Sequence, residues 1–344
     1  MTQRTRYVLV GSGLIVAVGL CTGVVAVYGG GLSARRTARG PAELAYVAPG
    51  TTAVAYADVR HIMNSQFRQH LRSTLPTGQE QDKFLAETGI DIEHDIDTVL
   101  AGLSPLGFAG GGSVLFVRGR FDQAKIEGLA TQHGATAETY KGKRLLLSPV
   151  PPVSEVTPQP SSLTAPTHAE HRGGGIAFLE PGLVALGSPD AIRRAIDAAE
   201  TENSVVSNAT LMEAVGNVQN DSDAWIVGSP DVVAKSDQLP EMVRNQMASV
   251  EWFAFTAGID DTVTCRLRAE TRDAESGEQI RSAVNGALAV ARMMSGKDAR
   301  IDSLLNSIQT SGTGDALDVS FTVPADVLAR MRSGALPFDV PAPR

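Results

Sequence analysis

Two copies of one short motif, Gly187-Ser188-Pro189-Asp190 and Gly228-Ser229-Pro230-Asp231, hold the residues most easily read as a nucleophile site. Ser188 or Ser229 could attack a carbonyl if a distant histidine took its proton, which would make the chain a hydrolase. Neither copy has the nucleophile-elbow pattern. A helix start explains every residue instead: serine caps, proline fits the first helical position, and aspartate faces the positive end of the helix dipole.

Asp91, Glu93, Asp95 and Asp97 alternate, so an extended backbone would put their carboxylates on one face, where a hard cation such as calcium could bind. The spacing departs from a calcium loop, because Ile96 stands where the tight turn needs glycine and Gly102 where a bidentate glutamate belongs. A solvated acidic face fits better. His168, Glu170 and His171 form the densest metal-like cluster, but they lie in a Pro-rich stretch with no fixed geometry, and His61, His70, His94 and His133 read as surface histidines. The glycine runs at 110–112 and 173–175 open no phosphate-binding loop. Arg118 with Arg120, and Arg266 with Arg268, point to one face of a strand and could meet an anionic ligand, although ordinary exposed alternation also explains them. No catalytic, cofactor-binding or metal-ligating residue is assigned, and no cofactor is expected.

The elements around these residues begin with an uninterrupted apolar run, Val8 to Tyr28, flanked by Arg4 and Arg6 before it and Arg35, Arg36 and Arg39 after it. As a helix it reaches roughly 30 Å, the thickness of a bilayer's hydrocarbon core. We expect residues 1–6 as a short cytoplasmic start, 7–29 as an uncleaved transmembrane helix and 30–44 as a linker, with the soluble part outside the cytoplasm. Leu20 before Cys21 departs from a lipoprotein acceptor site. Gly19 and Gly23 form a Gly-x-x-x-Gly pair that would let two such helices approach, a possible route to a homodimer.

Downstream of residue 40, 25 basic residues face all 38 acidic ones, an unfavourable balance for binding nucleic acid. Two cysteines, Cys21 and Cys265, give no disulfide framework within one chain. The length left after the anchor suits two modest units.

Hydrophobic periodicity yields two similar series. The first unit, 45–200, opens with a strand at 52–57 and a helix striped by Val59, Met63, Phe67 and Leu71. A linking region follows, with a short helix at 83–88 and an apolar stretch at 99–103. Next come a strand at 114–121, a helix after Asp122 burying Ile126, Leu129 and Ala130, strand pairs at 137–140 with 143–147 and 176–180 with 183–187, and a helix through Ile192 and Ile196. A disordered Pro-rich insertion is expected over 149–175. The second unit, 208–332, repeats the order: a strand at 224–227, a helix through Val232 and Met242, strands at 252–259 and 263–271, a long helix through Ile280 and Leu288, a hairpin at Gly312 to Gly314 and a helix from Pro324. A disordered tail, 333–344, closes the chain. The fold class expected is α+β: an N-terminal transmembrane helix, then two repeated units of mainly antiparallel sheet covered on one face by helices.

The stretches "YVAPGTTAVAYADV", "FVRGRFDQAKIEGLA" and "FLEPGLVALGSPDAIRRAIDA", read with the apolar start, resemble an uncharacterised bacterial family of single-pass membrane-anchored proteins with a duplicated α+β domain. The resemblance implies that architecture and carries no site residue. Three functions follow from these readings: a non-enzymatic module at the cell membrane that binds another envelope protein, a carrier or sensor of an apolar or anionic small ligand, and, with least support, a hydrolase.

Overall fold

Short runs of alternating or wholly apolar residues, punctuated by Gly, Pro and Asp, dictate a strand-rich chain. The computed structural model describes residues 40–68, 85–86, 88–104, 112–148, 174–220, 222–230, 248–294 and 299–323. Outside them lie the expected membrane helix with Gly19 and Gly23, most of the helix at 83–88, nearly all of the Pro-rich insertion, the helices expected through Val232 and from Pro324, and the tail. Among the described residues no helix is long and apolar enough to cross a membrane.

The elements, in chain order, are β1 (Ala53–Asp58), α1 (Val59–Asn64), α2 (Ile92–Asp95), β2 (Ile96–Leu103), β3 (Val114–Gly119), α3 (Gln123–Gln132), β4 (Thr136–Tyr140), β5 (Lys143–Leu147), β6 (Gly175–Glu180), β7 (Leu183–Gly187), α4 (Pro189–Glu200), α5 (Ala209–Val218), β8 (Ala224–Gly228), β9 (Val250–Ile259), β10 (Val263–Thr271), α6 (Ala274–Met294), α7 (Ala299–Ser307), β11 (Gln309–Ser311) and β12 (Ala316–Val323). Short 3-10 helices span Ala42–Tyr46 and Val205–Ser207. The fold is α+β, with one antiparallel sheet of twelve strands in the order β11-β12-β10-β9-β8-β1-β2-β3-β7-β6-β5-β4. Strands from both expected units thus share a single sheet, joined where β1 pairs with β8 from Ala53 opposite Gly228 to Ala57 opposite Ala224.

The hairpins follow local sequence. Lys141 and Gly142 both take positive φ, 47° and 75°, as the two-residue turn between β4 and β5 requires. Pro181 and Gly182, the latter at φ 76°, make the turn between β6 and β7.

Helices were expected on one face of the sheet; they pack on both. Ala53, Ala55 and Ala57 of β1, Ile226 of β8, and Phe253 and Phe255 of β9 lie in one core with α1, α6 and α7. Val54 and Tyr56 of β1, Phe116 of β3, and Trp225 and Val227 of β8 lie in the other, with the first 3-10 helix, α4 and α5. The reason is composition: every side chain of β1 and of β8 is buried, so the central strands have no polar face to turn to water. β10 differs, alternating buried Val263, Cys265 and Ala269 with exposed Thr264, Arg266 and Arg268.

Other expectations shift as well. The apolar stretch at 99–103, read as part of a linking region, belongs to β2, because a fully buried strand has no period-two signature to betray it. Gly175, placed in the insertion, opens β6. Ile126, Leu129 and Ala130 of α3 are only half-buried, since α3 packs on the exposed edge strand β4 rather than over the centre.

Phe116 is fully buried, and Phe116→Ala should lower the unfolding free energy by about 3–5 kcal/mol, against less than about 2 kcal/mol for Leu129→Ala at the rim. Denaturant titration of the two variants checks the contrast.

Candidate functional site

One end of the sheet gathers most of the charged side chains that sequence reading singled out. Asp58, Thr98, Arg118 and Leu183 form a row across β1, β2, β3 and β7, and Asp223 and Ile259 extend it through β8 and β9.

At this end His61, on α1, stands in a cleft of about 190 Å³ with Asn64, Ser65, Gln66, Asp260 and Asp261. Asp58 starts α1 by accepting the His61 backbone N–H at 3.0 Å, which turns the imidazole toward the start of β8. His61 Nδ1 lies 2.5 Å from Asp223 Oδ1, and Asp223 Oδ2 accepts the Ile259 N–H at 2.6 Å. A carboxylate on Nδ1 orients the ring and leaves Nε2 as the acceptor of the neutral form, the base-and-orienter half of a catalytic triad. The one hydroxyl among the lining residues is committed elsewhere: Ser65 Oγ donates to the Ile62 carbonyl at 2.6 Å and accepts the Arg68 N–H at 3.2 Å. The cleft can orient a histidine beside two carboxylates, but no nucleophile stands ready in it.

A second cluster is more buried. The side chain of Glu43, 3% exposed, accepts from Arg118 Nε, and Arg118 Nη2 donates to Glu180 at 2.8 Å. Burial alone would lower the Arg118 pKa, but hydrogen bonds to Glu180 and Glu43 outweigh it and hold the guanidinium above its ordinary value. Tyr46 stacks obliquely on Phe116, with ring centroids 6.0 Å apart, and burial followed by the charge of Glu180 raises its phenol.

The expected arginine pairs close on their own chain. Arg118 and Arg120 separate, because β3 ends at Gly119 and Arg120 turns to the His94 carbonyl and, at 3.6 Å, to Asp95. Arg266 and Arg268 both reach Asp318 on the neighbouring β12, at 2.5 and 3.5 Å.

The acidic series is no shared face either. Residues 92–95 form α2 instead of extending, and the carboxylates are spent on local bonds: Asp91 caps α2 and meets His94 at 2.7 Å, Glu93 pairs with Arg68 at 2.8 Å, and Asp97 pairs with Arg60 at 2.5 Å. Burial would raise Asp91, but the hydrogen bonds to it from His94 and the Glu93 N–H hold it below the usual carboxylate value. Asp97 goes the other way: burial raises it in spite of Arg60. Among the described residues no group of three His, Cys, Asp or Glu is arranged to hold a metal.

Ser188 caps α4, accepting the Ala191 N–H at 3.2 Å with Pro189 at the first helical position. Ser229 uses its N–H to bond the Thr52 carbonyl at 2.9 Å. The two copies of the motif follow β7 and β8, strands at different distances from the central β1–β8 pair, so their recurrence reflects turn and cap chemistry, not a repeated position. His168, Glu170 and His171 lie outside the described residues. Sequence reading missed the His61–Asp223 and Glu43–Arg118 pairings; partners 162 and 75 residues apart leave no local signal.

No family model and no curated protein matches the chain. Among solved structures it is similar to the protein described as crystal form I of TP0453, at 12% identity and a TM-score of 0.46, over 86% of this chain and 98% of that one. That likeness is too distant to transfer a function.

Arg118→Ala strands a buried carboxylate and should cost about 3–5 kcal/mol, whereas His61→Ala, whose ring is 58% exposed, should cost less than about 1 kcal/mol. Thermal unfolding of the two variants tests the order. Because Asp91 is lowered in the folded state, the stability it contributes is present above the ordinary carboxylate pKa and is lost as pH falls through its folded value. Asp91→Asn should therefore flatten the acid side of the stability profile, and carboxyl NMR titration should find Asp91 ionising below its ordinary value.

Proposed function

We propose that this chain is a single-pass, membrane-anchored envelope protein whose domain is built from two repeated units and binds another envelope component outside the cytoplasm, without catalysing a reaction. The apolar run from Val8 to Tyr28 supports the anchor. Repetition is supported by strand order: outward from the central pair, β1-β2-β3 and β8-β9-β10 are each three neighbours in sequence, and each series is then followed in the sheet by a later strand, β7 or β12.

The observation that carries the binding role is how the chemically able residues are used. Arg60, Arg118, Arg266 and Arg268 end on carboxylates of the same chain, and the hydroxyls of Ser65 and Ser188 hold helix ends. These groups stabilise a scaffold, and scaffolds act by presenting surface.

Reporters active only inside or only outside the membrane, fused to Arg344 of the full chain, test the proposal. An outside signal with a partner recovered by crosslinking in membranes is the expected result. An inside signal would overturn the orientation, and a crosslinking experiment recovering no protein would overturn the binding role.

A further inference from the structure

The route by which the chain enters the sheet bears on how the domain stands over the membrane. Gly40, the first described residue, has φ 91°, and a Cβ there would lie 2.8 Å from Leu44 Cδ1 and 3.2 Å from Val215 Cγ1. The same Cβ would be 3.5 Å from Gln219 Oε1, just past the end of α5 and shortly before β8 begins. Chain entry is therefore at the end of the sheet that carries Asp58, His61 and Asp223.

From Gly40 the chain is fastened across one face. Glu43 is locked by Arg118 at the same end, and Leu44 and Val47 are buried. The Val47 carbonyl accepts the Val205 N–H at 2.8 Å, and Val47 Cγ1 would be 3.1 Å from a Cβ on Gly102, at the opposite end of the sheet. A buried ion pair and two buried apolar side chains leave residues 40–47 no freedom to act as a tether.

The free chain between the anchor and this attachment is then residues 30–39. Ten residues span about 35 Å at full stretch and roughly 18 Å as a flexible coil. A folded domain of about 300 residues is about 50 Å across. So short a link keeps the entry end nearest the anchor.

We infer that residues 40–47 fix the stance of the domain, so that the end of the sheet with the Asp260–Asp261 turn faces the bilayer and the end with the Gly312–Gly314 turn points away. This deepens the anchor reading above and rests on it. The two turns sit at opposite ends of β10, whose nine residues make them about 30 Å apart.

The test uses full-length protein carrying Cys21→Ala, with Cys265 left in place because it is fully buried. A donor fluorophore is attached at Asp261→Cys or at Thr313→Cys, and the protein is reconstituted into phosphatidylcholine–phosphatidylglycerol vesicles containing a headgroup-labelled acceptor lipid. For turns separated by a strand of this length, energy transfer should be roughly two- to threefold stronger from position 261 than from 313. Equal or reversed transfer in protein that floats with the vesicles would overturn the stance alone. Protein that does not float would overturn the anchor and this inference with it.

Discussion

Everything else in the sheet depends on the pairing of β1 with β8. The ladder from Ala53–Gly228 to Ala57–Ala224 joins strands more than 160 residues apart in the chain, and every side chain on both strands is buried. On one face alanines at 53, 55 and 57 leave room for larger neighbours, including Ile226, Phe253 and Phe255. On the other, Tyr56 stacks on Trp225 with centroids 5.4 Å apart and planes 22° apart. Without its partner either strand would present a wholly apolar edge to water, which soluble sheets avoid. The two halves therefore complete one another.

Burying both faces of the centre pushes charge to the ends of the strands. There Glu43, Arg118 and Glu180 satisfy one another, and Asp223 bridges the His61 ring and the Ile259 backbone. A buried ion pair of this kind gains little over a well-packed apolar substitute, but losing one partner is costly, so it fixes which segments lie together more than how tightly they bind. In this protein it fastens the segment following the linker to β3. The groups best able to do chemistry are thus engaged in positioning backbone.

The opposite behaviour is seen at β10 and β12, where the face bearing Arg266, Arg268 and Asp318 is half-exposed and held by cross-strand ion pairs. Exposed pairs contribute little stability, and their effect is to keep a sheet face solvated. The same alternation that makes β10 easy to read in sequence is what leaves that face open.

Local features were legible from the sequence because their causes are local. The β4–β5 and β6–β7 hairpins follow from Lys141-Gly142 and Pro181-Gly182, the start of α4 from Ser188-Pro189-Asp190, and the stripe on α4 from Ile192, Ala195 and Ile196. β2 was missed as a strand because burial on both faces erases period two, and the acidic series was read as extended although Asp91 caps a helical turn within it. Of the candidate site, the types of His61, Arg118 and the aspartates could be read, but not their partners. Only the tertiary structure decided that one sheet runs through both series, that helices cover both faces, and that His61 meets Asp223 and Glu43 meets Arg118. Those outcomes turn on contacts between distant segments, whose free energy comes from burial that no short stretch of sequence can accomplish alone.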